Sequence, residues 1–216
     1  MINWLLNPFK SKTQIEVIDE PEVEPKTPIV FIHGANQSSY SWNYIREKLN
    51  HSNEILIDYS SMNRFYSNLD SMVRQIGDTP VFVVGHSLGG IYAVHLLKHC
   101  NVVGGVTIST PFRGSSAADW AKYLVPQYPL FKDVGRRSRP IVEANDIPIT
   151  VPWTQVVSTS GSVPYLKEEN DGVCTIGSME HRKNEMKCVR VEHTHYEVMC
   201  SNKVVDIIKT TTKIKK

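Results

Sequence analysis

Nowhere in the 216 residues are there 18 consecutive apolar positions, so no segment reads as a membrane span. Charge of one sign is also lacking. Lys and Arg number 24 against 22 Asp and Glu, a net charge of +2, which leaves no electrostatic footprint for nucleic acid. Cysteine is sparse: Cys100, Cys174, Cys188 and Cys200 are scattered, without a C-x-x-C pair or zinc-like spacing. That argues against a disulfide framework or a metal knuckle and for free thiols in a reducing compartment. Gly and Pro number 12 each, and there is no internal repeat or low-complexity tract, which excludes collagen-like, coiled-coil and disordered chains. Residues 1–10 carry a short apolar patch (Ile2, Trp4, Leu5, Leu6) broken by Asn7 and Pro8, with no basic start, long apolar stretch or cleavage site of a signal peptide. The expectation is a cytoplasmic, soluble protein without stable membrane insertion, the patch either capping the fold or touching a surface weakly.

What is present is a 41% hydrophobic chain of a length that suits one compact domain. Such a chain buries about 70% of its unfolded surface without staples. Residues 1–27 form a lead-in that is acidic and Pro-punctuated (Glu16, Asp19, Glu20, Glu22, Glu24, with Pro21 and Pro25), and residues 28–216 form the domain. Within it, short apolar runs alternate with amphipathic segments. Residues 29–33 (IVFIH), 55–58, 81–84 (VFVV), 102–109, 153–158 and 188–191 read as strands, the first being a β-branched run of the kind buried on both faces. Residues 41–49, 69–76, 88–98 and 202–209 read as helices. Strands alternating with helices mean βαβ units, hence an α/β fold with a mostly parallel sheet of about six strands and helices on both faces. Such sheets bind ligands at the carboxyl ends of their strands. Residues 117–150 break the alternation and read as a short lid-like insertion over that edge, its end around Arg136, Arg137 and Arg139 polar enough to be exposed.

The segment from Val81 to Gly90, VFVVGHSLGG, is a strand, then Gly-x-Ser-x-Gly, then a helix. In that setting the serine sits on a sharp, strained turn that lifts its hydroxyl clear of the sheet, and side chains at Gly85 and Gly89 would collide with neighbouring backbone. Ser87 is the candidate nucleophile. A serine hydroxyl needs a base to take its proton, and the base needs an orienting third group; in this architecture they follow in the order Ser, Asp, His. His95 and His99 lie on the helix after the turn, wrongly placed for a base and without a third ligand for a metal, and His181 precedes the last strand. His193 and His195 follow that strand at its carboxyl end, so one of them is the base. Asp119 and Asp133 lie in the insertion and Asp146 at the wrong end of a strand. Asp171, in Asn170-Asp171-Gly172-Val173, follows the fifth strand and is the candidate acid; an ordinary Asp-Gly turn explains the same residues.

These motifs, with Phe31-Ile32-His33-Gly34 and Ser109-Thr110-Pro111-Phe112-Arg113-Gly114-Ser115, resemble the α/β-hydrolase fold, and within it the small bacterial lipases and esterases, over roughly residues 28–210. The resemblance implies oxyanion-hole amides at Ala35 and Leu88, and it favours His195 over His193 as the base. Two such N–H donors contribute roughly 3 to 4 kcal/mol each to transition-state stabilisation. Phe112 stands where the family's TPHRGS segment has histidine. Asn36, His86, Trp120 and Tyr123 are the candidate pocket residues. Trp120, Tyr123, Tyr128 and Phe131 either line an acyl pocket or pack a loop onto the sheet. The implied activity is hydrolysis of a small-molecule acyl ester or lipid-like substrate, with no cofactor and no metal. Amidase, peptidase, thioesterase or acyltransferase use of the same residues is the nearest alternative, and a non-catalytic hydrolase-like binding protein the more distant one.

Overall fold

The computed structural model describes residues 27–114, 132–163, 166 and 168–213. Six strands, β1 (Ile29–Ile32), β2 (Glu54–Ile57), β3 (Val81–His86), β4 (Val102–Ile108), β5 (Trp153–Ser158) and β6 (Lys187–Val191), form one sheet in the order β2-β1-β3-β4-β5-β6. Every pairing is parallel. Among the described residues six helices accompany them: α1 (Asn43–Leu49, entered through a 3-10 turn), α2 (Phe65–Ile76), α3 (Leu88–Leu96), α4 (Arg139–Asp146), the single turn α5 (Ile176–Met179) and α6 (Asn202–Thr212). None of the helices among the described residues is long and apolar enough to cross a membrane.

Strand alternation separates two cores, because successive side chains point to opposite faces. Val30, Ile32, Val81 and Val83 meet the apolar sides of α2, α3 and α4. Ile29, Phe31, Phe82, Val84, Val106 and Ile108 meet Trp42, Ile45 and Leu49 on one side and Val204, Val205 and Ile208 of α6 on the other. With helices on both faces, the loops at the carboxyl edge are left to carry a site.

Besides the unexpected single turn α5, two helices depart from the expectation. α2 begins a turn before Leu69, because Phe65, Leu69, Met72 and Ile76 share one face and the Phe65 ring stacks on Tyr92 at 4.1 Å. In the 117–150 stretch, Arg136, Arg137 and Arg139 are exposed as expected, but Arg139–Asp146 is a helix whose Pro140, Ile141 and Ala144 are buried. His95 Nε2–H donates to the Pro140 carbonyl at 2.9 Å. Arg182, buried despite its charge, donates to the Ala144 and Ile147 carbonyls at 2.7 Å each and pairs with Glu185. It thus satisfies the end of α4, where backbone carbonyls lack helical partners and a cation is favoured.

Arg182→Ala leaves two buried carbonyls unpaired and should lower the unfolding free energy by about 2 to 4 kcal/mol. Arg139→Ala removes a surface ion pair with Glu143 and a cation–π contact with Tyr66 and should cost less than about 1 kcal/mol. Urea unfolding of the two variants checks the contrast.

Candidate active site

Ser87 lies between the last residue of β3 and the first of α3, with φ 53° and ψ −120°. A non-glycine residue holds such a conformation only where its surroundings impose it. Here the surroundings are backbone. A Cβ on Gly85 would meet the Gly89 carbonyl oxygen at 2.5 Å, and one on Gly89 would meet the Ile32 and His33 carbonyl oxygens at 2.2 and 2.5 Å. The two glycines therefore let α3 begin directly against the end of β1. The Ser87 N–H donates to the Ile108 carbonyl at 2.8 Å, tying the turn to β4.

Asp171 and His195 come together from the loops after β5 and β6. His195 Nδ1–H donates to Asp171 Oδ2 at 2.7 Å, and the His195 backbone N–H donates to the Asp171 carbonyl at 2.9 Å. Asp171 Oδ1 accepts the Val173 and Cys174 N–H groups at 3.0 and 2.7 Å, an Asx turn completed by Gly172 at φ 96°. Ser158 Oγ–H donates to Oδ2 at 2.5 Å. Burial by itself would raise the Asp171 pKa, but the hydrogen bond and charge of His195, then Ser158 and Cys174, outweigh it and hold the carboxyl below its ordinary range. The carboxylate is fully buried yet ionised. His193 is occupied elsewhere, with Nε2 at 2.9 Å from Ser201 Oγ.

The loop after β1 is held from below. Tyr59 donates its N–H to His33 Nε2 at 3.2 Å and its hydroxyl to the His33 carbonyl at 3.0 Å, while the two rings stack at 4.2 Å. With Nε2 accepting, Nδ1 carries the proton and donates to the Gly34 carbonyl at 2.7 Å. That carbonyl shares a trans peptide with the Ala35 N–H, so fixing one aims the other the opposite way. Among the described residues, neither the Ala35 nor the Leu88 N–H is committed to a backbone hydrogen bond. Burial is the main cause of a lowered His33 pKa, against opposing effects from the Gly34 carbonyl and Asp58.

His86, expected in the pocket lining, is instead a fully buried strut. As the last residue of β3 it points into the protein, with Nε2 at 2.9 Å from the His195 carbonyl oxygen and Nδ1 at 3.0 Å from Gln37 Oε1. The neutral ring has one proton, which Nε2 gives to the His195 carbonyl, so Nδ1 only abuts Gln37, whose Oε1 accepts the Gly34 N–H at 2.9 Å. Burial, and after it the neighbouring His195, push the His86 pKa down to about 3, which keeps the ring neutral. Asn36 is exposed, with φ 54° and its N–H on Ser61 Oγ. Trp120 and Tyr123 lie outside the described residues. Among those described, the only cluster of three potential metal donors is Asp171, Cys174 and His195, where the acid and the histidine are already bonded to each other. Sequence reasoning passed over Ser158, Gln37 and Tyr59. Each is a polar residue at or just past the carboxyl end of a strand, the one signal that pointed to it.

The chain belongs to the alpha/beta hydrolase family, whose model matches residues 29–166. No curated protein matches it in sequence. Among solved structures it is similar to the mature form of the Bacillus licheniformis lipase BlEst2, with a TM-score of 0.65 at 20% identity over 90% of this chain and 94% of that one. It is also similar to a monoacylglycerol lipase from Paleococcus ferrophilus (0.62, 15%, covering 88% and 96%). A lipase-esterase related protein from Clostridium acetobutylicum gives 0.59 at 17%, covering 86% and 95%. At these identities the likeness is one of fold, the α/β-hydrolase fold.

Gly89→Ala should lower the melting temperature by about 10 °C or more, the shift that a loss near 4 kcal/mol produces in a chain of this size. The buried histidines set a second expectation. His86, held neutral from 6.5 down to about 3, gains its proton in the unfolded chain first, so unfolding binds protons and stability falls as pH drops through that window. Asp171 adds its loss only below its unfolded value of 3.8. Urea midpoints should therefore already decline between pH 6.5 and 3.8; a flat profile there contradicts the neutral assignment.

Proposed function

We propose that the chain is a serine hydrolase of carboxylic esters. The observation that carries this reading is the buried Asp171–His195 hydrogen bond of 2.7 Å beside the strained Ser87 turn. The His86 ring, one residue before Ser87, lies 4.9 Å from the His195 ring. In the proposed reaction, Ser87 Oγ attacks the ester carbonyl while His195 Nε2 takes its proton. Asp171 keeps the proton on Nδ1 and stabilises the imidazolium that forms. The N–H groups of Ala35 and Leu88 receive the oxyanion, the second also at the positive end of α3. His195 returns the proton to the departing alcohol, and water activated by the same ring then releases the acid from Ser87.

An apolar acyl group is favoured by what lies at the carboxyl edge. Tyr40, Met62 and Tyr196, all more than half exposed, stand on loops that follow β1, β2 and β6. Fold and site geometry fit acyl transfer, and the neighbours named as lipases support an ester as the substrate class.

Ser87→Ala, Asp171→Asn and His195→Ala should each lower kcat on p-nitrophenyl esters by about 10⁴-fold or more. His193→Ala, which loses only the contact with Ser201, should keep near-wild-type activity; the reverse result for the two histidines would overturn the choice of His195. A p-nitrophenyl ester series of increasing chain length then reports the reach of the acyl site.

A further inference from the structure

Behind Asp171 the hydrogen bonding continues for two more residues. Ser158 Oγ lies 2.5 Å from Asp171 Oδ2, and Ser109 Oγ lies 2.6 Å from Ser158 Oγ. All three side chains are fully buried. The direction of the chain follows from counting protons. The carboxylate only accepts, so the single hydroxyl proton of Ser158 is given to Asp171, and the Ser158–Ser109 contact must be filled by the proton of Ser109. Nothing is left with which Ser158 could donate to Met179 Sδ, 3.7 Å away. The topology explains the meeting. Ser109 and Ser158 stand at the carboxyl ends of neighbouring parallel strands, β4 and β5. Ser109 turns there with φ 52°, its N–H on the Val156 carbonyl at 2.8 Å. A buried serine commonly bonds nearby backbone; these two hydroxyls are aimed at a carboxylate instead.

We propose that Ser158 and Ser109 are positioning residues of the reaction: a hydroxyl relay that fills Asp171 Oδ2 from behind, so that the acid stays ionised and aligned on His195 while sealed from water. This rests on the ester-hydrolase reading. Asp171 has four acceptor sites and four donors, Val173 and Cys174 on Oδ1, His195 and Ser158 on Oδ2. Chained hydroxyls polarise one another, so Ser109 strengthens the Ser158 bond. The titratable groups facing the acid are His195 and the Cys174 thiol, with His86 behind His195; burial and Asp171 itself push the thiol up, so it remains neutral. Without Ser158, burial would meet one donor fewer, and the carboxyl would take up a proton at higher pH.

The test is kcat and KM on p-nitrophenyl acetate across the acid limb for Ser158→Ala, Ser109→Ala and the double variant. The low-field resonance of the His195 Nδ1 proton is recorded alongside. Ser158→Ala should lower kcat by about tenfold to a hundredfold, the loss of one hydrogen bond to a charged group. KM should be unchanged, the acid limb displaced to higher pH and the proton resonance shifted. Ser109→Ala, which leaves the acid's own donors in place, should give smaller changes in the same direction and none further in the Ser158→Ala background. The relay is overturned if both variants keep the wild-type kcat and acid limb, if the Ser109 effect persists undiminished in the double variant, or if only the melting temperature moves. Should the folded wild type hydrolyse no ester, the ester reading fails, and the proton resonance still decides the relay: no shift in Ser158→Ala rejects it.

Discussion

The site depends on how closely the start of α3 approaches the end of β1. A side chain at Gly89 would overlap two carbonyl oxygens of that strand end, and one at Gly85 would overlap the first turn of the helix. Because both are glycine, the turn between them closes tightly enough to force Ser87 into the left-handed region and to bring the free N–H groups of α3 beside the loop of Gly34 and Ala35. A Cβ on Gly34 would lie 3.3 Å from that of Ser87. The backbone strain at Ser87 is thus imposed by the packing of α3 against the end of β1, and the sheet keeps β1 in register with its neighbours, with Ile32 level with Gly85 and Ile57.

Around this turn the buried side chains of Asp171, His33 and His86 are hydrogen-bonded. The Asp171 carboxylate has four donors. His33 has its tautomer set by the Tyr59 N–H, and the neutral His86 gives its one ring proton to the His195 carbonyl. Unpaired, such groups would each cost a few kcal/mol in a water-free interior. Paired, they hold rings and peptide planes in fixed orientation, which is what preorganised acyl-transfer chemistry requires. Arg182 does for α4 what these groups do for the site, joining a helix end to the loop before β6.

Much of this was legible because it follows from local rules. The β-branched runs at Ile29, Val81 and Trp153 can be buried on both faces only in a parallel sheet, and their ends lie within a residue or two of the expected positions. The order Ser87, Asp171, His195 along the chain, each beyond the carboxyl end of a strand, singled out two residues that stand hydrogen-bonded. What was not legible depended on partners distant in sequence. α4 was hidden because three buried residues lie among arginines and polar neighbours, and α3 and Arg182, distant in sequence, supply part of what they pack against. His86 looked like a pocket residue from its place beside Ser87, whereas strand alternation sends it inward, to a carbonyl 109 residues away. Ser158 could not be distinguished from any polar strand end until the loop of Asp171 folded over it.

The central claim is that Ser87 is the nucleophile and that His195 and Asp171 activate it. A fluorophosphonate probe followed by intact mass and peptide mapping tests it most directly, because the probe reacts with an activated serine and leaves an unactivated one alone. A single adduct is expected on the peptide containing Ser87, absent in Ser87→Ala and strongly slowed in His195→Ala. A folded wild-type protein that remains unlabelled, or that carries its label on another serine, would contradict it.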